Sequence, residues 1–160
     1  MKTVFASARI CFVEVDAALV DDYLTMVNDV DNVQRYIGKT HEPFSVEKEL
    51  RWVREKREEK ALVFSMLEKD SGRFIGNIEL MDGADAEREL GIALTAEMQN
   101  RGYGTEAVSA LTSYALDTLG FQRVFLRTSP ANTRAIHVYE NCGYREYGRD
   151  AEHVYMEYTR

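Results

Sequence analysis

Cysteine, histidine and proline are scarce in this sequence. Its 160 residues include 2 cysteines, 3 histidines and 2 prolines. Two cysteines, Cys11 and Cys142, do not make a disulfide framework, and no cysteine pair has the spacing of a metal site. The histidines, at positions 41, 137 and 153, lie far apart along the chain. We therefore expect neither a disulfide scaffold nor a bound metal.

Long apolar runs and excess positive charge are also missing. No run approaches the roughly 20 apolar residues that a membrane-spanning helix needs. The residues before Ala6-Ser7-Ala8 are too few for the apolar core of a signal peptide, so we expect a cytoplasmic protein without membrane contact. The net charge of −7, from 20 basic and 27 acidic residues, disfavours nucleic acid as a partner and mildly favours a cationic one.

The composition is that of an ordinary globular protein. Hydrophobic residues make up 45% of the chain and charged residues 29%, as in typical soluble domains. A chain of 160 residues is long enough to bury a core. We expect one domain spanning residues 1–160.

Changes of hydrophobic period along the chain predict a mixed α/β fold with the element order β-α-α-β-β-β-α-β-α-β-β. A first strand at 9–15 is followed by two helices, for which Asp16 and Ser45 are the expected N-caps. The remaining predicted elements are strands at 62–67, 73–81 and 87–94, a helix after Gly104, a strand at 124–128, a helix after Asn132, and strands at 144–149 and 152–158. The helix between strands 87–94 and 124–128 predicts that these two strands are parallel.

A glycine-bearing turn, Gln99-Asn100-Arg101-Gly102-Tyr103-Gly104, joins the strand ending at Leu94 to the third predicted helix. The first N–H groups of a helix have no partner within the helix, and the helix dipole is positive there. Glycine lets the backbone approach a ligand closely. This turn therefore suits an anion such as a phosphate group.

Several kinds of site share that pattern. The stretch 102–107 fits the dinucleotide fingerprint G-x-G-x-x-G/A, but the next strand ends in Arg127-Thr128, where a dinucleotide site needs an acidic residue. A nucleoside-triphosphate loop is excluded because no Gly-Lys-Ser/Thr follows. A helix entry without any ligand is the remaining alternative.

A second pattern lies further along the chain, Asn132-x-x-Ala135-Ile136-x-x-Tyr139-x-x-x-Gly143-Tyr144. With Gln99-x-x-Gly102-x-Gly104 it resembles the two signatures of the GCN5-related N-acetyltransferases (GNAT). Within that family, the chain is similar to the bacterial type that acetylates polyamines, drug amines or ribosomal-protein N-termini. Tyr144 stands where the family usually has phenylalanine. The resemblance covers most of the chain, most firmly residues 72–148, and the first sixty residues match in outline.

The resemblance implies a GNAT fold with a central pair of parallel strands that splay apart, and acetyl-CoA as cosubstrate. It implies that the pantetheine arm lies along the first of these strands and that the pyrophosphate lies at the glycine-bearing turn. Asn132 either contacts the cosubstrate or caps its helix. The implied cosubstrate-binding residues are Ile92, Ala93, Leu94, Gln99, Asn100, Arg101, Gly102, Tyr103, Gly104, Thr105, Asn132 and Tyr139.

The resemblance also implies that Tyr139 is the general acid that protonates the departing thiolate. A tyrosine hydroxyl has a pKa of about 10, so it is protonated near neutral pH. The alternative is an ordinary core aromatic, because Ala135, Val138, Tyr139 and Cys142 share one helix face.

Two carboxylates are candidates to bind or deprotonate the amine. Gly76-Asn77-Ile78-Glu79-Leu80 matches a Gly-x-x-Glu-Leu setting in the polyamine-acetylating members, which makes Glu79 the first choice and Glu89 the second. Strand alternation predicts Glu79 on the same side as Ile75 and Asn77. For each glutamate the alternative is an exposed or ion-paired strand residue.

The sequence thus predicts an enzyme that moves an acetyl group to a primary amine, either a small molecule or a peptide N-terminus. A module of the same fold that senses acyl-CoA or binds a protein without turnover is the rival hypothesis. Acceptor choice is expected to depend on residues 21–45, which include Asp21, Asp22, Asp29 and Asp31. The edge strands of the last hairpin leave homodimer formation open.

Overall fold

An eight-stranded mixed sheet, in the order β1-β2-β3-β4-β5-β6-β8-β7, forms the centre of the computed structural model. The structure describes residues 1–34 and 42–160. The strands are β1 (Thr3–Ala6), β2 (Ile10–Glu14), β3 (Leu62–Glu68), β4 (Phe74–Met81), β5 (Glu87–Leu94), β6 (Arg123–Thr128), β7 (Arg145–Arg149) and β8 (Val154–Thr159). The α-helices are α1 (Val20–Val27), α2 (Val46–Glu58), α3 (Tyr103–Ser113) and α4 (Thr133–Asn141).

The predicted element order is confirmed, with one strand added at the N-terminus. That strand, β1, pairs antiparallel with β2 at the sheet edge. Sequence alternation did not reveal it because most of its residues are exposed. Phe5 is the exception, since its ring stacks on Phe12 and on Tyr114 at centroid distances of 4.2 Å.

Each face of the sheet carries its own core. The larger core joins α3 and α4 to one face and includes Ile78, Leu90, Leu111 and Tyr139; we refer to this side as the α3/α4 face. The smaller core joins α1 and α2 to the other, the α1/α2 face. It consists of Val15, Leu19, Tyr23, Met26, Val33, Val53, Val63 and Phe74.

Both predicted N-caps of the first helical region are present. The Asp16 side chain accepts from the Ala18 N–H at 2.8 Å, and Ser45 accepts from the Lys48 N–H at 3.2 Å. In α2, Glu49 is buried and Val46 is exposed, whereas Val53 belongs to the smaller core. Residues 35–41, part of the segment expected to govern acceptor choice, lie outside the described residues.

A β-bulge in β4 changes which side chains share a face. The register with β3 shifts between Met66 and Leu67, and this places Ile75 in the larger core with Ile78. The prediction that Glu79 lies on the same side as Ile75 is therefore wrong. The extra residue of the bulge reverses the alternation at that point.

Gly76, beside the bulge, allows two strand backbones to approach closely. A Cβ built on Gly76 would lie 2.1 Å from the carbonyl oxygen of Ala93 on β5. No side chain fits this gap, so the sequence-based expectation of a bulge or a close approach at Gly76 is confirmed on both counts.

The parallel strands β5 and β6 stay together over a short distance only. They pair at Glu87–Arg123, Arg88–Val124 and Glu89–Phe125. Beyond these pairs β5 continues beside β4, as far as Leu94 opposite Gly76, while β6 continues beside β8. The two strands thus splay apart at the centre of the sheet, as the resemblance implies.

Candidate active site

The splay exposes one backbone edge of β5. The Thr95 N–H donates to the Ile75 carbonyl at 3.0 Å, so it points toward β4. Because successive N–H groups of a strand alternate between its edges, those of Leu94 and Ile92 point into the gap. The N–H of Ala93 points toward β4. Two of the three predicted strand residues therefore offer donors to a ligand in the gap.

The glycine-bearing turn leads directly from this gap into α3. Gly102 is the N-cap, with a left-handed φ of 83°, and has no side chain to cap the helix. The first intrahelical bond runs from the Glu106 N–H to the Gly102 carbonyl at 3.2 Å. The N–H groups of Tyr103, Gly104 and Thr105 precede that bond and lie at the positive end of the helix dipole. These donors match the requirements of a diphosphate.

Two side chains, Gln99 of the turn itself and Arg134 of α4, hold the turn in place. The Gln99 Nε2 donates to the Leu94 carbonyl at 3.0 Å and to the Asn32 carbonyl at 2.9 Å. Arg134, in the first turn of α4, donates to the Gln99 Oε1 at 3.3 Å and to the Asn100 Oδ1 at 3.1 Å. Asn100 itself has a positive φ of 61°. The turn is therefore tied to β5 and α4 in a defined, tight conformation.

A second set of contacts ties the turn to the start of β2. The Arg9 guanidinium donates to the Arg101 carbonyl at 3.0 Å and to the Glu106 Oε1 at 2.7 Å. It also lies over the Tyr103 ring, 4.2 Å from the centroid. The Tyr103 side chain is buried, and its hydroxyl donates to the Glu68 carboxylate. Tyr103 was predicted to contact the cosubstrate, and only its backbone N–H is available for that contact.

Helix α4 brings the second motif to the same region. A Cβ built on Gly104 would lie 3.7 Å from Leu94 Cδ1 and 3.9 Å from Val138 Cγ1. The start of α3, the end of β5 and the helix α4 therefore meet at this point. The Asn132 Oδ1 accepts from the Ala135 N–H at 3.2 Å. Asn132 therefore acts as a helix cap in this structure.

Tyr139 lies on the buried side of α4, and 8% of its surface is exposed. Burial raises the pKa of its hydroxyl to about 12, because the ionised phenolate is poorly solvated there. The hydroxyl is therefore protonated at every pH at which the protein would work. This burial keeps the proton that a general acid needs, and it is equally compatible with a core role.

Tyr144 stands where the family usually has phenylalanine, and the additional hydroxyl group has a hydrogen-bond partner in Thr112. The Thr112 Oγ1 donates to the Val108 carbonyl at 2.7 Å, so it accepts from the Tyr144 hydroxyl at 2.6 Å. The buried phenol is thereby satisfied. The hydroxyl group thereby joins the segment that follows α4 to α3.

The two candidate carboxylates lie on the α1/α2 face beside the splay. Glu79 pairs across the strands with Gly91, and a Cβ built on Gly91 would lie 3.5 Å from the Glu79 Oε1. Burial raises the pKa of Glu79, Lys56 opposes that shift, and the negative charge of Glu89 adds to it. Glu89 is in the last β5–β6 pair and forms an ion pair with Arg127 at 3.3 Å.

Two arginines that hold the turn were not among the predicted site residues. Arg9 precedes β2, and nothing in the local sequence marks it. The sequence does contain a signal for Arg134, because this residue places a positive charge in the first turn of a helix, where the helix dipole opposes it. Such a residue needs a compensating partner, and here the amide oxygens of Gln99 and Asn100 provide one.

Within residues 1–34 and 42–160, no group of three or more His, Cys, Asp or Glu side chains is arranged to hold a metal ion. No helix in these ranges is long and apolar enough to cross a membrane.

Comparison with known proteins agrees with this geometry. The model of the acetyltransferase (GNAT) domain family matches residues 9–145. A spermidine N(1)-acetyltransferase from Vibrio cholerae is 26% identical over 93 residues, which make up 57% of this chain and 54% of that protein. The chain thus spans about half the length of this curated relative.

Solved structures show the same fold. A GNAT-family acetyltransferase from Bacillus anthracis superposes with a TM-score of 0.85 at 19% identity, covering 96% of each chain. The spermidine N-acetyltransferase from Vibrio cholerae in complex with CoA and spermine superposes with a TM-score of 0.81 at 17% identity, covering 95% of this chain and 96% of that one.

Proposed function

The chain belongs to the acetyltransferase (GNAT) family, and from this premise we propose that it transfers an acetyl group from acetyl-CoA to a primary amine. The acceptor is a small-molecule amine or the N-terminus of a peptide. Attack is direct, within a ternary complex. The observation that carries the proposal is the continuity between the gap beside β5 and the uncapped start of α3.

Acetyl-CoA fits the donors on both sides of that junction. Amides of the pantetheine arm can accept from the N–H groups of Ile92 and Leu94 in the gap. The diphosphate can accept from the N–H groups of Tyr103, Gly104 and Thr105. Arg101 adds positive charge at this entry, in a protein whose net charge is −7. Gln99, Asn100 and Asn132 hold the surrounding backbone.

Reaction requires an unprotonated amine, stabilisation of the tetrahedral oxyanion and protonation of the departing sulfur. As the amine nitrogen bonds to the acyl carbon, the carbonyl becomes an oxyanion, and collapse breaks the C–S bond. Tyr139 gives its proton to the thiolate. Glu79, directly or through water, takes the proton that the amine loses, with Glu89 as the second candidate.

A thiol-release assay tests this function. The protein is incubated with acetyl-CoA and a panel of polyamines, aminoglycosides and N-terminal peptides, and free CoA is measured against time. We expect acetyl-CoA-dependent release with at least one class of amine and acetylated product by mass spectrometry. Tight binding of acetyl-CoA without turnover of any amine would favour the sensing module instead.

A further inference from the structure

A chain of hydrogen bonds runs through the smaller core from α1 to β4. The Asp16 N–H donates to the Tyr23 hydroxyl at 3.2 Å, and that hydroxyl lies 2.5 Å from Ser65 Oγ. Ser65 Oγ donates to Asn77 Oδ1 at 2.8 Å. Tyr23 and Ser65 are completely buried, whereas Asn77 at the end of the chain is half-buried.

Proton counting fixes the direction of every bond in this chain. A backbone N–H can only donate, so Asp16 requires Tyr23 to accept. Tyr23 is completely buried, so its own proton also needs an acceptor, and among residues 1–34 and 42–160 that acceptor is Ser65 Oγ at 2.5 Å. Ser65 in turn donates its single proton to Asn77. Asn77 must therefore turn its oxygen toward Ser65 and its NH₂ group away. Within residues 1–34 and 42–160, no hydrogen bond leaves that NH₂ group.

Asn77 lies next to the proposed reaction centre. It pairs with Ala93 on β5, and Glu79, two residues later on the same face, pairs with Gly91. Both partners belong to the part of β5 that runs beyond the last pair with β6. The free N–H donors of Asn77 and the carboxylate of Glu79 thus border the same stretch of strand.

The cavity beside Glu79 is of mixed charge. It has a volume of about 560 Å³ and lies between the end of α2, the start of β3 and the end of β4. Its charged lining residues are three basic and three acidic ones: Lys56, Lys60, Arg88, Glu59, Glu79 and Asp82. Glu79 lines this cavity and Asn77 does not, and the equal numbers of basic and acidic side chains give it no preference for a polycation.

From the directed amide and the mixed charge, and resting on the proposed function, we propose that Asn77 is a specificity-determining residue that donates a hydrogen bond to an oxygen atom of the acceptor near its amine. The acceptor class is then an amine with a neighbouring carbonyl, carboxylate or hydroxyl oxygen. A protonated polyamine carries donors only and has nothing to accept from Asn77. A site built to donate discriminates against ligands that lack the acceptor atom.

The variant Asn77→Asp tests this role with little change of shape. One aspartate oxygen still accepts from Ser65, so the buried chain is preserved, while the outward NH₂ becomes an oxygen. Steady-state acetylation is measured for an alanine-initiated hexapeptide and for spermidine. We expect the wild-type protein to prefer the peptide by about tenfold or more in kcat/KM, corresponding to one hydrogen bond, and Asn77→Asp to reduce that preference by at least about tenfold.

Ser65→Ala provides the second variant. It removes the acceptor that fixes Tyr23 and releases the Asn77 amide, so we expect a smaller loss of peptide preference with acetyl-CoA KM unchanged. Far-UV circular dichroism verifies that both variants fold. A wild-type preference for spermidine, or an unchanged ratio in Asn77→Asp, overturns the role of Asn77. Absence of turnover with every amine overturns the proposed function itself, and this inference with it.

Discussion

At the scale of single residues, burial assigns different proton chemistry to Tyr139 and Glu79. Both have a raised pKa because the charged form loses solvation. For the tyrosine this preserves the proton that a general acid needs. For the glutamate it strengthens a base whose ordinary pKa of about 4.3 is low for accepting a proton from an amine.

Tyr139→Phe removes the proposed acid and keeps the ring that packs in the core. We expect the rate of acetylation to fall by at least about tenfold, with acetyl-CoA affinity nearly unchanged in calorimetry. Tyr147→Phe is the matched control, since Tyr147 is exposed on β7, and it should retain full activity. If Tyr139→Phe acetylates as fast as the wild-type protein, Tyr139 is a core aromatic only.

The pH dependence of kcat/KM tests Glu79. As a base, Glu79 must be ionised, and burial raises its pKa above the ordinary value. Activity should therefore fall as the pH drops through that raised pKa, at a higher pH than an exposed carboxylate would give. Glu79→Gln should lower kcat/KM and abolish this acidic limb. If Glu89→Gln removes the limb instead, the assignment of the two carboxylates is reversed.

At the scale of elements, the site depends on how strands and helix starts are held against each other. The bulge in β4 and the absence of a side chain at Gly76 bring the β5 backbone close to β4. Arg134 and Gln99 link the turn before α3 to α4 and β5. These contacts fix the two ends of the proposed acetyl-CoA site.

Gly76→Ala would force a methyl group into the Ala93 carbonyl oxygen, 2.1 Å from the new Cβ. We expect a loss of about 3 kcal/mol in the free energy of unfolding, measured by urea denaturation, because the strands must move apart. Gly72→Ala is the control. Its φ is +73° with nothing within 4 Å, so it should cost only about 1 kcal/mol of backbone strain. Equal losses would contradict the importance of the close approach.

Arg134→Gln would remove the guanidinium that bridges Gln99 and Asn100. A looser turn binds a diphosphate less well, so we expect KM for acetyl-CoA to rise about fivefold to tenfold, equivalent to roughly 1 kcal/mol, with kcat little changed. Arg51→Gln, on the exposed side of α2, should leave KM unaltered. A fall in kcat at constant KM would argue against a role in holding the turn.

At the scale of the whole molecule, binding of acetyl-CoA should stabilise the native fold. A ligand that binds the native state at 100 times its Kd stabilises the fold by about 2.7 kcal/mol. For a chain of this size we expect Tm to rise by roughly 5–10 °C, measured by differential scanning fluorimetry. Pantetheine, which lacks the diphosphate, should raise Tm by less. An equal rise in Tm would mean that the diphosphate contributes nothing to the binding energy.

Assembly is a separate property of the whole chain. The strands β1 and β7 are the two edges of the sheet. The outer strand of the last hairpin is β7, which carries several charged residues. Homodimer formation through such an edge stays a prediction, as does the extent of a single domain over residues 1–160. Light scattering on the purified chain measures the first directly.

The sequence by itself determined the order of elements and the family. Hydrophobic periods report on burial along one strand or helix, and the two motifs report on backbone geometry at Gly102 and on the helix carrying Tyr139. Both kinds of signal are local, which is why β5 was predicted with its exact bounds. The edge strand β1 has almost no buried residues and gave no such signal.

Only the tertiary structure decided which side chains share a face and which atoms are free. The bulge in β4 separates Ile75 from Glu79, and a hydrogen-bond chain from Asp16 fixes the orientation of the Asn77 amide. The bridge from Arg134 to the turn joins residues 34 and 35 positions apart. Such relations arise from contacts between distant segments, and these depend on strand register and proton direction rather than on local pattern.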